Sequence, residues 1–191
     1  MTSMDTGTER DLILRCQQGD AEAFGGIYDL YVRKIHDFIY YKVHHRETAQ
    51  DLTSDTFMKA LGGLDRFDAG KGSISSWLYR IARNTVIDHY RTKKEYAAID
   101  DAWDIPAGGG VEADIDALAR IDRVRQQLRV LPPDQRDIVI MRVWQELSYR
   151  EIAEIVGKSE DNCKMIFCRA AKKLRETMPL ALFIALFINH L

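Results

Sequence analysis

The residues best suited to chemistry in this chain are cations, amides and aromatic rings at helical spacing. Between Leu147 and Arg175, the apolar residues Cys163, Phe167, Ala170 and Leu174 recur at i, i+4, i+7 and i+11. That is one buried stripe on a helix. Asn162, Lys164, Arg169, Lys172, Lys173 and Arg175 fall on its other faces, where ammonium, guanidinium and amide groups suit phosphates and base edges. A second group lies between Ser75 and Arg91. There Trp77 and Tyr79 are interleaved with Arg80, Arg83 and Asn84, beside a loop that carries Arg66, Phe67 and Lys71. Cations hold phosphates while rings and asparagine side chains engage unstacked bases. The combination suits single-stranded or melted DNA better than an intact duplex, although Trp77 reads equally well as a core anchor. Nothing here offers covalent catalysis. There is no nucleophile–base constellation, and His36, His44, His45, His89 and His190 are isolated. Cys16, Cys163 and Cys168 lack metal-ligand spacing. The chain is expected to be no enzyme and to need no cofactor.

The elements that must position these groups are helices. Ser148 and Glu151 form a capping box that starts one helix, and Ile152, Ala153, Ile155 and Val156 give it an apolar face. Gly157 can take the left-handed conformation that ends it. Ser159 then caps a second helix, with Glu160 and Asp161 in the first turn, where the helix dipole favours negative charge. A short helix, a glycine turn and a basic second helix have the layout of a helix-turn-helix, which lays its second helix in the DNA major groove. A helical hairpin with a solvated charged face has the same pattern.

Upstream, a short helix is predicted over Glu9–Gln18 and a long one over Ala21–Val43, with Asp20 as its cap. Gly25 and Gly26 sit in the long helix's first turns, where glycine costs about 1 kcal/mol relative to alanine and fraying is expected. A third helix spans Arg46–Leu61. Ala49, Leu52, Thr53, Thr56, Phe57 and Ala60 line one side of it, and Asp51, Ser54, Asp55 and Lys59 line the other. Gly62 and Gly63 are expected to stop it. A turn-rich loop over Asp65–Ser73 leads to a fourth helix over Ser75–Arg91. Basic residues run on through Arg91, Lys93 and Lys94, whereas Glu95 to Asp116 holds seven acids and no Lys or Arg. With Pro106 and Gly108–Gly110 inside it, that stretch reads as an acidic linker. A helix resumes over Ala117–Val130, and a further one starts near Pro133, since proline fits the first helical position.

No strand pattern occurs. The fold class is all-α, with two small helical domains on either side of a flexible acidic linker. The boundaries are 9–95, 96–116, 117–176 and a tail over 177–191. A chain of 191 residues with 46% hydrophobic content can bury two such cores. A net charge of −2 excludes a protein that coats nucleic acid by bulk charge. The cysteines read as reduced thiols in a cytoplasm, and no basic-then-apolar leader opens the sequence.

One domain for melted DNA and one for duplex, joined by an acidic linker, resembles the bacterial RNA polymerase sigma factors of the extracytoplasmic-function class. The resemblance runs from about Asp11 to Arg175. DLTSDTFMKALGGLDRFD is similar to the part of sigma region two that docks on the coiled coil of the polymerase β′ subunit. SISSWLYRIARNTVIDHYR is similar to the part that melts and reads the minus-ten element. LPPDQRDIVIMRVWQELSYREIAEIVG is similar to region four leading into its helix-turn-helix.

The resemblance implies a polymerase-docking role for Asp51, Asp55 and Phe57. It implies minus-ten contacts for Trp77, Arg80, Arg83 and Asn84, and capture of a flipped base by the loop holding Arg66, Phe67 and Lys71; Arg91 joins them as part of the basic cluster. The minus-thirty-five element falls to Asn162, Lys164, Arg169, Lys172 and Lys173. The implied partners are the polymerase core through its β′ and β subunits, promoter DNA and an anti-sigma factor, in the cytoplasm, with no small-molecule substrate. A helix-turn-helix regulator that does not dock on polymerase is the alternative.

Two features depart from the family. Met165 and Ile166 stand mid-helix where the family usually has Ser and Arg, leaving apolar contact with thymine methyls in place of hydrogen bonds. The tail after Pro179, LALFIALFINHL, is apolar on every side over Leu180–Ile188. Its twelve residues span roughly 18 Å as a helix, short of the ~30 Å needed to cross a membrane. A helix apolar all round must be covered. It can pack on its own domain, dock a regulator or, least favoured, lie on a membrane. A sharper expectation is that it folds back near Met165 and Ile166 and masks the DNA-reading face.

Overall fold

A computed structural model of the chain describes residues 6–96, 128, 130–179, 183 and 187. The chain divides into two units, residues 1–107 and 108–191, and every regular element among the described residues is helical.

The first unit comprises α1 (Thr6–Gln17), α2 (Ala21–Val43), α3 (Arg46–Gly63), a 3-10 turn (Leu64–Arg66) and α4 (Ile74–Tyr96). Asp20 starts α2 as predicted. Its Oδ1 accepts from the amides of Glu22 and Ala23 at 3.1 and 3.3 Å, satisfying N–H groups that have no partner within the helix. Its Oδ2 accepts from Arg15 Nε and Nη2 at 2.9 and 2.7 Å. That bond to Arg15 is the main reason the Asp20 carboxyl titrates below the ordinary aspartate range. α2 packs against α1, α3 and α4, and its Ile27, Tyr31, Ile35, Phe38 and Ile39 form the centre of this core.

α2 is helical through Gly25 and Gly26. Gly26 admits α1, because a Cβ there would lie 2.9 Å from Leu12 Cδ2. α2 ends at His44, a non-glycine residue in the left-handed region at φ 53°. His45 caps α3 at once, its Nδ1 accepting from the Thr48 amide at 3.2 Å. α3 buries the six residues expected of it. Its two buried threonines bond back to Ala49 and Leu52 carbonyls at 2.6 and 2.7 Å, so neither hydroxyl is unsatisfied. Gly62 and Gly63 do not stop α3 but form its last residues. α4 runs to Tyr96, one residue into the expected linker; the rest of that linker, 97–116, lies outside the described residues.

In the second unit, α5 (Pro133–Val143), α6 (Tyr149–Val156) and α7 (Glu160–Thr177) pack pairwise. α5 has Pro133 at its first position, as expected. Of the helix expected over Ala117–Val130, only Leu128 (helical) and Val130 (in a turn) lie within the described residues. Buried Arg136 ties this approach to α5: Nε donates to the Leu128 carbonyl and Nη2 to that of Leu131, both at 3.0 Å. α6 has the full capping box. The Ser148 amide donates to Glu151 Oε2 at 2.8 Å, and the Glu151 amide donates to Ser148 Oγ at 3.2 Å. Gly157 ends it at φ 69°.

Candidate nucleic-acid interface

On α4 the buried stripe of Leu78, Ala82, Thr85 and Val86 faces the core of the first unit. Helical spacing then sends Trp77, Arg80, Asn84, Ile87 and Arg91 outward as a second stripe. Arg80, Asn84, Ile87 and Arg91 are exposed; Trp77 and Arg83 are half-buried. Arg91 Nη2 lies 3.2 Å from Asp88 Oδ1, an exposed pair, and such pairs contribute little and exchange readily for another anion. Tyr79 departs from its sequence reading. Its ring is 1% exposed and packs edge-on against Phe38 at 5.3 Å, so it belongs to the core.

The loop before α4 is built by local bonds. Asp68 Oδ1 accepts from the Gly70 amide at 2.9 Å and Oδ2 lies 3.3 Å from Lys71 Nζ. The Gly70 amide first, and Lys71 second, hold the Asp68 carboxyl below its ordinary range. Ser73 caps α4, its Oγ accepting from the Ser76 amide at 3.0 Å. Arg66 and Lys71 point to solvent, but Phe67 does not. It is 9% exposed, with its ring 5.2 Å from that of Trp77. Phe67 therefore supports Trp77 instead of meeting a base itself. Gly63 lies under the same indole, where an added Cβ would sit 3.3 Å from Trp77 Cζ2.

The sequence reading missed Gln17. Its Nε2 donates to the carbonyls of Leu64 at 3.1 Å and Phe67 at 2.8 Å, fastening α1 to the turn that launches the loop. A polar residue at the end of a short helix has no signal of that partnership.

On α3, Asp51 and Asp55 are exposed in line with Ser54, Met58 and Leu61. Phe57 is a correction to the expected docking set. It is 4% exposed, clasped by Tyr28 and Phe24 with ring centroids 4.8 and 6.4 Å away, and cannot present its ring to a partner. Asp55 borders a groove of about 410 Å³ between α3 and α4, lined also by Lys59, Asp88 and His89.

In the second unit, α7 turns Cys163, Phe167, Ala170, Ala171 and Leu174 inward. Met165, Arg169 and Lys172 are exposed on the opposite side, with Asn162 half-buried at its edge. Two of the expected cations are engaged. Lys164 Nζ lies 3.0 Å from Glu160 and 3.6 Å from Asp161, and the Glu160 bond leads in raising its pKa. Lys173 Nζ donates to the Val130 carbonyl at 2.7 Å, so it also braces the approach to α5.

Two residues of the tail belong to this unit's interior. Phe183 and Phe187 are 7% and 0% exposed, stacked on each other at 4.8 Å, and Phe187 lies 5.9 Å from Phe167. Phe167 is on the buried side of α7 and Met165 is 46% exposed, so the described tail residues pack away from Met165; the rest of the expected masking segment lies outside the described residues. No helix among the described residues is long and apolar enough to cross a membrane.

Residues 27–96 match the family model of sigma-70 region 2, and residues 121–174 match that of sigma-70 region 4. The chain is 34% identical over 183 residues to the ECF RNA polymerase sigma factor BldN of Streptomyces coelicolor, covering 92% of this chain and 67% of that protein. It is 35% identical over 161 residues to the RNA polymerase sigma factor YlaC of Bacillus subtilis, covering 80% of this chain and 90% of that one. Among solved structures, the sigma factor RpoE bound to the anti-sigma factor NepR from Bartonella quintana aligns with a TM-score of 0.63 at 25% identity, over 82% of this chain and 96% of that one. CnrH in complex with the cytosolic domain of CnrY shares the fold, with a TM-score of 0.71 at 22% identity, over 89% of this chain and 96% of that one.

Proposed function

The chain belongs to the extracytoplasmic-function class of RNA polymerase sigma factors, subunits that bring core polymerase to promoters and start transcription, and from this we propose how its residues divide that work. The family membership favours this over a regulator that acts without polymerase. The first unit, assigned to 9–95, grips the β′ subunit through Asp51 and Asp55 and holds the melted minus-ten strand along α4. Trp77 stacks on a base, Asn84 meets a base edge, and Arg80, Arg83 and Arg91 hold phosphates. The loop Arg66–Ser73 receives a flipped base. Extruding a base costs a few kcal/mol, and stacking of a base on the neighbouring Trp77 ring returns roughly 1–3 kcal/mol. The second unit, assigned to 117–176, lays α7 on the minus-thirty-five duplex, with Asn162, Arg169 and Lys172 in contact. Lys164 joins them if phosphates displace Glu160 and Asp161.

The observation that carries the first half is the outward stripe of Trp77, Arg80, Asn84 and Arg91 on one helix, beside a loop braced by its own caps. Core polymerase works in the cytoplasm, so this chain does too, and an anti-sigma factor that sequesters it is the expected regulator. The experiment is purified core polymerase plus this protein on promoters enriched from genomic fragments. Promoter-specific transcripts are expected only when both are present, and failure of the protein to bind core overturns the reading.

A further inference from the structure

We infer that Met165 is a base-reading residue, its thioether packing on the 5-methyl group of a thymine in the major groove. This rests on α7 being the helix that enters that groove. Met165 lies opposite the buried line of Cys163, Phe167, Ala170 and Leu174, at the centre of the outward face, and is 46% exposed. A methionine left that open keeps apolar surface whose burial against a partner's apolar group is favourable. Among the described residues of the unit Met165 stays 46% exposed. Of the tail, the described Phe187 packs against Phe167, on the buried side of α7.

The neighbours fix what that surface can be. Arg169 and Lys172 are exposed beside Met165, so a polyanion would be held around it. Lys164 is drawn back onto Glu160 and Asp161, and Ile166 is half-buried, which leaves Met165 as the apolar group reaching furthest outward. In the major groove, of the four bases only thymine presents an apolar group, its C5 methyl; the others offer donors and acceptors that a thioether cannot match. An unbranched, polarizable side chain also adapts to the exact height of that methyl.

The test uses the full chain assembled with core polymerase. Duplexes are enriched from a pool randomised in the minus-thirty-five region, and each thymine of the enriched sequence is then replaced singly by deoxyuridine, which lacks only the methyl. We expect one position where the loss weakens wild-type binding about fourfold, the worth of one buried methyl. Met165→Ala holoenzyme should bind the thymine and uracil forms of that position equally, and Met165→Leu should keep the preference. Indifference of the wild type to every replacement, or a methyl preference unchanged in Met165→Ala, overturns the inference while leaving α7 as a DNA reader. No enriched sequence at all, from a holoenzyme that assembles, overturns the placement of α7 on duplex DNA and this inference with it.

Discussion

The ring of Phe187 lies 5.9 Å from that of Phe167, which joins this residue of the apolar tail to the buried side of α7. Phe187 is 0% exposed, and removing a fully buried phenylalanine side chain costs about 3–5 kcal/mol. Phe187→Ala is therefore expected to lower the denaturant midpoint of the second unit, with the first unit's transition unchanged. Deletion of residues 180–191 should act the same way and should not tighten binding to duplex promoter DNA. Tighter binding by the truncated protein would favour the masking model.

Gln17 fastens α1 to the turn before the loop that the proposed function assigns to the minus-ten element. Gln17→Ala removes two hydrogen bonds, to the carbonyls of Leu64 and Phe67, worth on the order of 1 kcal/mol each. The expected result is slower opening of promoter DNA, followed by a fluorescent base at the minus-ten position, with core binding unchanged. Equal loss of core binding would point to general unfolding of the unit instead.

Asp55 is exposed on α3, so reversing its charge should not disturb the core. Asp55→Arg is expected to abolish co-elution with core polymerase while the helical circular dichroism signal and melting temperature hold. Normal assembly of that variant would move the docking surface elsewhere.

Arg169 is exposed beside Met165 on the outward face of α7. Arg169→Ala should weaken holoenzyme binding to all promoter duplexes alike and lower the slope of log affinity against log salt by about 0.9, one phosphate contact. Lys173→Ala should leave that slope intact and destabilise the second unit, because Lys173 holds the Val130 carbonyl. A reversed pattern between the two variants would exchange their roles.

The Asp20 carboxylate caps α2 and binds Arg15, and its folded pKa is lowered chiefly by that bond. The unfolded chain thus binds a proton more readily than the folded one, and stability falls with acid. This contribution is present in full above about pH 4, the ordinary aspartate value, and is lost as pH falls through the lower folded value. Asp20→Asn keeps an oxygen for the cap amides but no charge for Arg15. Its melting temperature should drop less on acidification than that of the wild type; parallel curves would show that the pair does not contribute.

Much of the architecture was legible in the chain because its causes are local. The Ser148–Glu151 capping box, the Asp20 and Ser159 caps, the turn at Gly157 and Pro133 at a first helical position act over three or four residues, and all are in the structure as read. The buried face of α3 followed from its period. The acids Asp51 and Asp55 and the stripe through Arg80 and Asn84 followed from the same rule, since what a helix does not bury it exposes.

What tertiary structure decided is which aromatic rings and cations are left over for a partner. Phe57, Phe67 and Tyr79 carry the same chemistry as Trp77 in a sequence, yet Phe57 and Tyr79 are buried against rings 29 and 41 residues away, and Phe67 is buried against Trp77 itself. Lys173 looks like Lys172 until the Val130 carbonyl, 43 residues away, captures it. Gln17 reaches a turn 47 to 50 residues on. The tail's apolarity demanded a cover but did not name one. The sequence by itself determined the helices, their caps and the family they serve. Packing between distant segments determined which individual rings and cations remain available, because those contacts join residues dozens apart and leave no trace in a local period.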